Sequence, residues 1–200
     1  MMNRSVKTGA LTHPKLRFVS LGGETLPQRI TETWFSEGRL TVYNLYGVTE
    51  AVCYQLGQRV VKGVKGSEDG QHCGSFSSDL FSPQAGAVLI PSSSATFGRK
   101  SIIHEVDVMG EICLHGNQVG QGYHGKRDPE LTNQRFFPLE GDFGRGRAES
   151  RRVHATGDIG CWRLRDGRRE LELRGRADDQ VKINGLRISM GEVEACCAAA

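Results

Sequence analysis

The chain has no long apolar run, no paired cysteine spacing and no large charge of either sign. Its apolar stretches are short, as at Ala87-Val88-Leu89-Ile90, far below the ~20 residues that a membrane-spanning helix needs. The first seven residues, Met1-Met2-Asn3-Arg4-Ser5-Val6-Lys7, carry no apolar segment of the kind a secretory signal requires. Six cysteines are present, but none forms a Cys-x-x-Cys pair, and Cys196 and Cys197 are neighbours. That spacing supports neither a zinc site nor a disulfide scaffold, and His72-Cys73 alone is no metal motif. The expectation is a cytoplasmic chain with reduced thiols. With 26 basic and 23 acidic residues the net charge is only +3, and with glycine counted about half of the residues are apolar, so a mainly disordered chain is excluded. Proline is scarce at 6 residues, whereas glycine reaches 26 in a chain of 200. Many tight turns and close backbone approaches are expected. The length fits one domain, or one with a small appendage.

The apolar pattern begins as strand, helix, strand. Residues 16–21 read as a short buried strand ending at Gly22-Gly23. Pro27 then opens a helix with Ile30, Trp34 and Phe35 on one face, ending near Gly38. Leu40-Thr41-Val42-Tyr43 is a second strand that runs into a turn at Tyr46-Gly47-Val48-Thr49-Glu50. This order predicts an α/β arrangement with parallel pairing. From about residue 60 the pattern changes to short strands with glycine turns. Gly110–Gly116 reads as one strand, and Asp166-Gly167 between Trp162/Leu164 and Leu171/Leu173 as a hairpin. Within residues 91–108, Pro91-Ser92-Ser93-Ser94-Ala95-Thr96 reads as a loop or an insertion. Ser189-Met190-Gly191-Glu192 fits a capping box, followed by an apolar face at Val193, Cys196, Cys197 and Ala200. A helix that starts so close to residue 200 is expected to be part of a longer one.

Several single motifs fail on context. Gly120-x-Gly122-x-x-Gly125 has the glycines of a dinucleotide fingerprint, but Pro129 would interrupt the helix on which a pyrophosphate should sit. Gly98-Arg99-Lys100-Ser101 lacks the earlier glycine of a phosphate loop and reads as a basic loop. Residues 141–176 hold ten arginines and six acidic residues. Those arginines alternate with leucine and glutamate, as on a solvated strand face, and no aromatic stacking pattern accompanies them. No nucleic-acid partner is expected, and no membrane.

Four segments together are far more specific. They are Leu21-Gly22-Gly23-Glu24-Thr25-Leu26; Asn44-Leu45-Tyr46-Gly47-Val48-Thr49-Glu50; Gly110–Gly116 leading to Gly122-Tyr123, with Ala155-Thr156-Gly157-Asp158; and Gly175-Arg176-Ala177-Asp178-Asp179-Gln180-Val181-Lys182-Ile183-Asn184-Gly185-Leu186-Arg187-Ile188, continuing to Gly191-Glu192-Val193-Glu194. In this order they resemble the adenylate-forming (AMP-binding) enzymes, most closely the adenylation domains of nonribosomal peptide synthetases and their acyl-CoA synthetase relatives. The resemblance covers roughly residues 14–198.

The resemblance implies an α/β fold: the C-terminal part of a large adenylation subdomain over residues 1–176, strand-helix-strand plus a distorted β-barrel. The first β-hairpin of a small C-terminal subdomain follows over 177–200. It implies activation of a carboxylic or amino acid by ATP with Mg2+, leaving AMP on the acid, and transfer to the thiol of CoA or of a phosphopantetheine carrier protein. By the same resemblance Gly22, Gly23, Glu24, Asn44, Tyr46 and Gly47 lie at the nucleotide, with Tyr46 offering a face to the purine. Thr49 and Glu50 serve the triphosphate, with Glu50 on the metal. Asp158 takes the ribose, assisted by Arg176. Asp178 is the hinge, and Lys182 and Gly185 line the path of the thiol. Leu45, Cys53 and Tyr54 flank the acyl pocket. The residue types suit these roles: a hydroxyl can donate to a phosphate, and a hard carboxylate oxygen suits Mg2+.

There are departures. Val48 stands where the family has proline. The family's phosphate loop would lie before residue 1 and its C-terminal lysine after residue 200. The 200 residues alone are therefore expected to be inactive, because phosphoryl chemistry depends on such electrostatic partners. The alternative expectation is a non-catalytic remnant that binds nucleotide or serves as an interaction module.

Overall fold

The computed structural model describes residues 15–24, 26, 40–60, 75–77, 85–92, 101–124, 129–178, 180–183 and 186–198. The helix expected after Pro27 lies outside them, as does Gly185.

Strand β1 (Phe18–Gly22) pairs in parallel with β2 (Thr41–Tyr46), which pairs antiparallel with β3 (Leu56–Val60). The parallel pairing agrees with the strand-helix-strand reading. The expected burial of β1 does not appear, since Phe18 is 64% exposed. Among the described residues β1 has a ladder on one side only. Strand β2 runs three residues further than Tyr43, and its alternate residues Val42, Asn44 and Tyr46 are buried.

The larger sheet contains β4 (Ser75–Phe76), β5 (Gly86–Ile90), β6 (Met109–His115), β7 (Phe136–Asp142), β8 (Ala148–Arg165) and β9 (Arg168–Arg176). Its order is β4-β9-β8-β6-β5, with β7 added on β8. Short strands were expected here, yet β8 spans 18 residues and serves three partners in turn. Its first half pairs with β7 and its second half with β9. The β8–β9 turn is Asp166-Gly167, with φ of 49° and 74°, the double left-handed turn that suits a two-residue hairpin. Among the described residues no ladder joins β4 to β5.

One apolar cluster gathers Tyr46, Val48, Ala51 and Leu56 from the smaller sheet with Phe76, Leu89, Ile112, Leu114, Phe136 and Leu171 from the larger. The two sheets therefore share a core, and they are also linked by the bridge between Gly57 and Ser77. A short helix, α1 (Pro129–Arg135), precedes β7. After β9 come the antiparallel pair β10 (Gln180–Ile183) and β11 (Leu186–Ser189) and helix α2 (Met190–Ala198). Ser189 sits just before that helix, as the capping pattern predicts, and Val193, Cys196 and Cys197 are exposed on it.

Candidate functional site

The site is assembled around a bulge in β8. Glu111 of β6 pairs with Ile159, but Cys113 pairs with Ala155, so residues 156–158 of β8 face the single residue Ile112. A bulge re-aims the side chains it carries. Thr156 turns its hydroxyl inward to donate to the Ile112 carbonyl at 2.9 Å, and its Oγ1 accepts from the Asp158 N–H at 3.0 Å. Gly157, at φ 78°, makes the corner. A Cβ there would lie 2.8 Å from an Arg176 nitrogen and 2.9 Å from an Asp178 oxygen, so a larger residue would strain the backbone and push on the tips of both side chains.

The bulge presents Asp158 to two partners. The Tyr46 hydroxyl donates to its Oδ2 at 2.6 Å, and Arg176 Nη1 donates to its Oδ1 at 2.6 Å. Arg176 lies opposite Asp158 in the β8–β9 ladder, so sheet register alone delivers this pair. The guanidinium also holds Asp178 through Nε at 2.6 Å and Nη2 at 2.8 Å, in the paired geometry that arginine offers a carboxylate. Burial acts against the Arg176 charge, but the bonds and charges of Asp178 and Asp158 outweigh it, and its pKa rises. Burial likewise opposes the Asp178 charge, yet Arg176 holds its carboxyl below the ordinary value. The Tyr46 phenol is pushed well above its ordinary value, first by burial and then by the Asp158 charge, so it remains an O–H donor.

Tyr46 is expected to offer an open face to a purine, but the ring is 8% exposed and packs 5.8 Å from Phe76. What it gives the site is its hydroxyl on Asp158. A related difference concerns Gly22, where a flat ring is expected against the backbone. The ring found there is Tyr54, whose Cε1 would be 2.5 Å from an added Cβ. Gly23, at φ 92°, has the Tyr54 hydroxyl 3.9 Å from such a Cβ, and both it and Glu24 are exposed. Asn44 is buried on β2.

After β2 the chain turns tightly. At Gly47 an added Cβ would meet the Cys53 carbonyl oxygen at 2.1 Å, so no larger residue fits. Thr49–Ala51 forms one turn of 3-10 helix, with Thr49 exposed and Glu50 partly buried. Val52 and Cys53 follow at φ 54° and 70°, a left-handed pair without glycine. For a β-branched valine this conformation is strained, and such strain gathers at functional sites. The loop containing Gly120 docks on this turn: its N–H donates to the Glu50 carbonyl at 2.9 Å, and the Tyr123 hydroxyl donates to Glu50 Oε1 at 3.3 Å. Gly120 and Gly122, the first two glycines of the fingerprint-like spacing, thus lie on the loop that brings Tyr123 to Glu50.

Among the described residues no group of three or more His, Cys, Asp or Glu side chains is placed to hold a metal. Mg2+ does not need one, since it is commonly held by one or two carboxylates with substrate phosphates and water. Glu50 beside the Thr49 hydroxyl is a donor set of that kind. Lys182 sits on β10, its backbone opposite Arg187. The sequence reading missed Tyr123 as a partner of Glu50, and it missed Arg135 and Glu111 beside the bulge. No spacing could have found them, because 24 residues separate the ion pair between Arg135 and Glu111, which meet at 3.2 Å.

No family model matches the chain. Curated relatives include the nonribosomal peptide synthetase ataP of Aspergillus terreus, 34% identical over 194 residues, covering 91% of this chain and 10% of that protein. The ferrichrome siderophore peptide synthetase of Mycosarcoma maydis is 33% identical over 182 residues, covering 91% of this chain and 4% of that one. The chain thus spans a tenth or less of these relatives. Among solved structures, PA1221, an NRPS protein containing adenylation and PCP domains, superposes with a TM-score of 0.70 at 27% identity, over 96% of this chain and 34% of that one. No helix among the described residues is long and apolar enough to cross a membrane. The ordered segments of the sequence, the mixed α/β fold and the relatives agree: this chain belongs to the adenylate-forming superfamily, most like a nonribosomal peptide synthetase adenylation domain.

Proposed function

We propose that this chain supplies the ribose- and metal-binding side of an ATP-dependent carboxylate-activating site. The observation that carries the reading is the fixed Asp158 carboxylate. A carboxylate has about four lone-pair sites. Tyr46 takes one on Oδ2 and Arg176 one on Oδ1, which leaves an acceptor site on each oxygen for two vicinal hydroxyls. Neither donor can rotate away without breaking a second set of contacts, so the carboxylate is preorganised for a ribose. The corner at Gly157 keeps side-chain bulk off that face.

Glu50 and Thr49 are the second element. With ATP bound, Glu50 would hold Mg2+ and Thr49 would donate to a phosphate; the ion would offset charge on the phosphates. Tyr123 orients the Glu50 carboxylate by its hydrogen bond. Gly23 and Glu24, exposed at the end of β1, are the nucleotide's backbone contact, while Tyr54 over Gly22 and the exposed Cys53 face the acid. Asp178 is the hinge to the β10–β11 hairpin, and Lys182 and Gly185 belong to the thiol's approach. The acceptor is the phosphopantetheine thiol of a carrier protein, a reading supported by the PCP domain of PA1221, or alternatively CoA.

Calorimetric titration with AMP tests the reading. The wild-type chain binds, and Asp158→Ala weakens binding by about 1–3 kcal/mol, the worth of charged hydrogen bonds. Equal binding by both proteins would sink the ribose assignment.

A further inference from the structure

We propose that Arg135 is a positioning residue for ribose recognition, acting on Asp158 through Asp178 and Arg176; this rests on the ribose role proposed for Asp158. Arg135 is the last residue of α1, and its guanidinium spans two carboxylates from different parts of the chain. Nη1 lies 3.2 Å from Glu111 Oε1 on β6, and Nη2 lies 3.6 Å from Asp178 Oδ2 beyond β9. The same Glu111 oxygen accepts the Gly157 N–H at 3.0 Å, at the corner of the bulge. The same Asp178 oxygen accepts from Arg176 Nη2 at 2.8 Å.

These contacts form one row of alternating charge: Asp158, Arg176, Asp178, Arg135, Glu111. One end is the carboxylate that takes the ribose, and the other is tied to the backbone of the turn that presents it. Every side chain in the row is 28% exposed or less, so solvent screens the row only in part. Arg176 must serve two carboxylates at once, Asp158 and Asp178. Arg135 adds a second positive charge on Asp178. Without it, Asp178 draws more strongly on Arg176, and Glu111, which holds the Gly157 N–H, loses its cation. Both effects loosen Asp158, and neither involves contact between Arg135 and a nucleotide. Precise recognition by one shell of side chains depends on such support from the next.

The test compares adenosine with 2′,3′-dideoxyadenosine by calorimetry on the chain as it stands. The wild type prefers adenosine, and Asp158→Ala removes the preference; a wild type without preference would end the ribose reading, and this inference with it. Arg135→Ala reduces the preference about fivefold or more, the size of coupling usual between groups in one network. Its affinity for the dideoxy compound stays within about twofold of wild type, and Arg135→Lys recovers at least half of the preference. A general structural role would weaken both ligands alike, and that result, or an unchanged preference beside a sensitive Asp158→Ala, would overturn the proposal. Should Arg135→Ala lose its near-ultraviolet circular dichroism, Glu111→Gln carries the test: the same selective loss supports the proposal, and full retention of the preference defeats it.

Discussion

Two tight turns meet at Tyr46, and they are held by different forces. The turn over residues 48–54 leaves β2 directly after Tyr46 and is fixed by backbone. Ala51 and Val52 N–H groups return to the Val48 and Thr49 carbonyls at 3.0 and 3.1 Å, and Gln55 N–H returns to the Tyr46 carbonyl at 3.0 Å. The bulge over residues 156–158 touches the Tyr46 hydroxyl and is fixed by side-chain charge. Its side-chain partners come from β2, β6 and β9, far apart in sequence, and Arg135 of α1 stands behind two of the carboxylates there. The first turn spends conformational strain at Val52 and Cys53, where the second places glycine at its left-handed position. A local turn can be specified by a short motif, whereas a charged one needs the whole sheet in register.

The sharpest way to break the contrast is Gly157→Val. Left-handed strain of about 1–2 kcal/mol joins crowding of about 1–3 kcal/mol against Arg176 and Asp178, so a loss of about 2–5 kcal/mol is expected in urea unfolding. A loss below about 1 kcal/mol would mean that the bulge shifts freely. Tyr46→Phe comes next. It removes a hydrogen bond to a charged acceptor and is expected to cost about 1.5–3 kcal/mol while leaving the ring's packing on Phe76 intact. An unchanged unfolding midpoint would show that Asp158 does not depend on the phenol.

The third prediction concerns acid. The Asp178 pKa is depressed in the folded chain from an ordinary 3.8, so the unfolded chain takes up the proton first as pH falls. The stability contributed by its charged form is present above 3.8 and drains away as pH drops through the lower folded value. Asp178→Asn is therefore expected to flatten the fall in urea midpoint below that pH. An identical acid profile in both proteins would count against the charged row. The smallest effect belongs to the other turn. Val52→Gly relieves about 1–2 kcal/mol of left-handed strain and costs about 0.5–1 kcal/mol in chain entropy, for a net gain between about 0 and 1.5 kcal/mol. A net loss would show that Val52 packs usefully despite being exposed.

Much of this was legible in the residues. The Asp166-Gly167 hairpin and the parallel β1–β2 pair rest on local chemistry: turn residues, alternation and glycine placement. The misreadings were all matters of surroundings. Phe18 reads as buried, yet β1 lacks a ladder on one side among the described residues. Tyr46 reads as an open aromatic face, yet the core takes the ring and leaves only the hydroxyl for the site. Alternation and propensity carry no information on which neighbour fills a given space.

By itself the sequence determined the superfamily, the first strand pair, the Asp166-Gly167 hairpin and the identity of Asp158 as a carboxylate placed after a glycine corner. Those properties follow from short segments whose spacing survives in a single chain. Only the tertiary structure decided that Asp158 is held from both sides, that Tyr123 reaches Glu50, and that Arg135 and Glu111 back the turn. The reason is physical. Ion pairs and hydrogen bonds across tens of residues exist only after β6, β8 and β9 have found their register, and register is fixed by burial of the common core, not by any one motif.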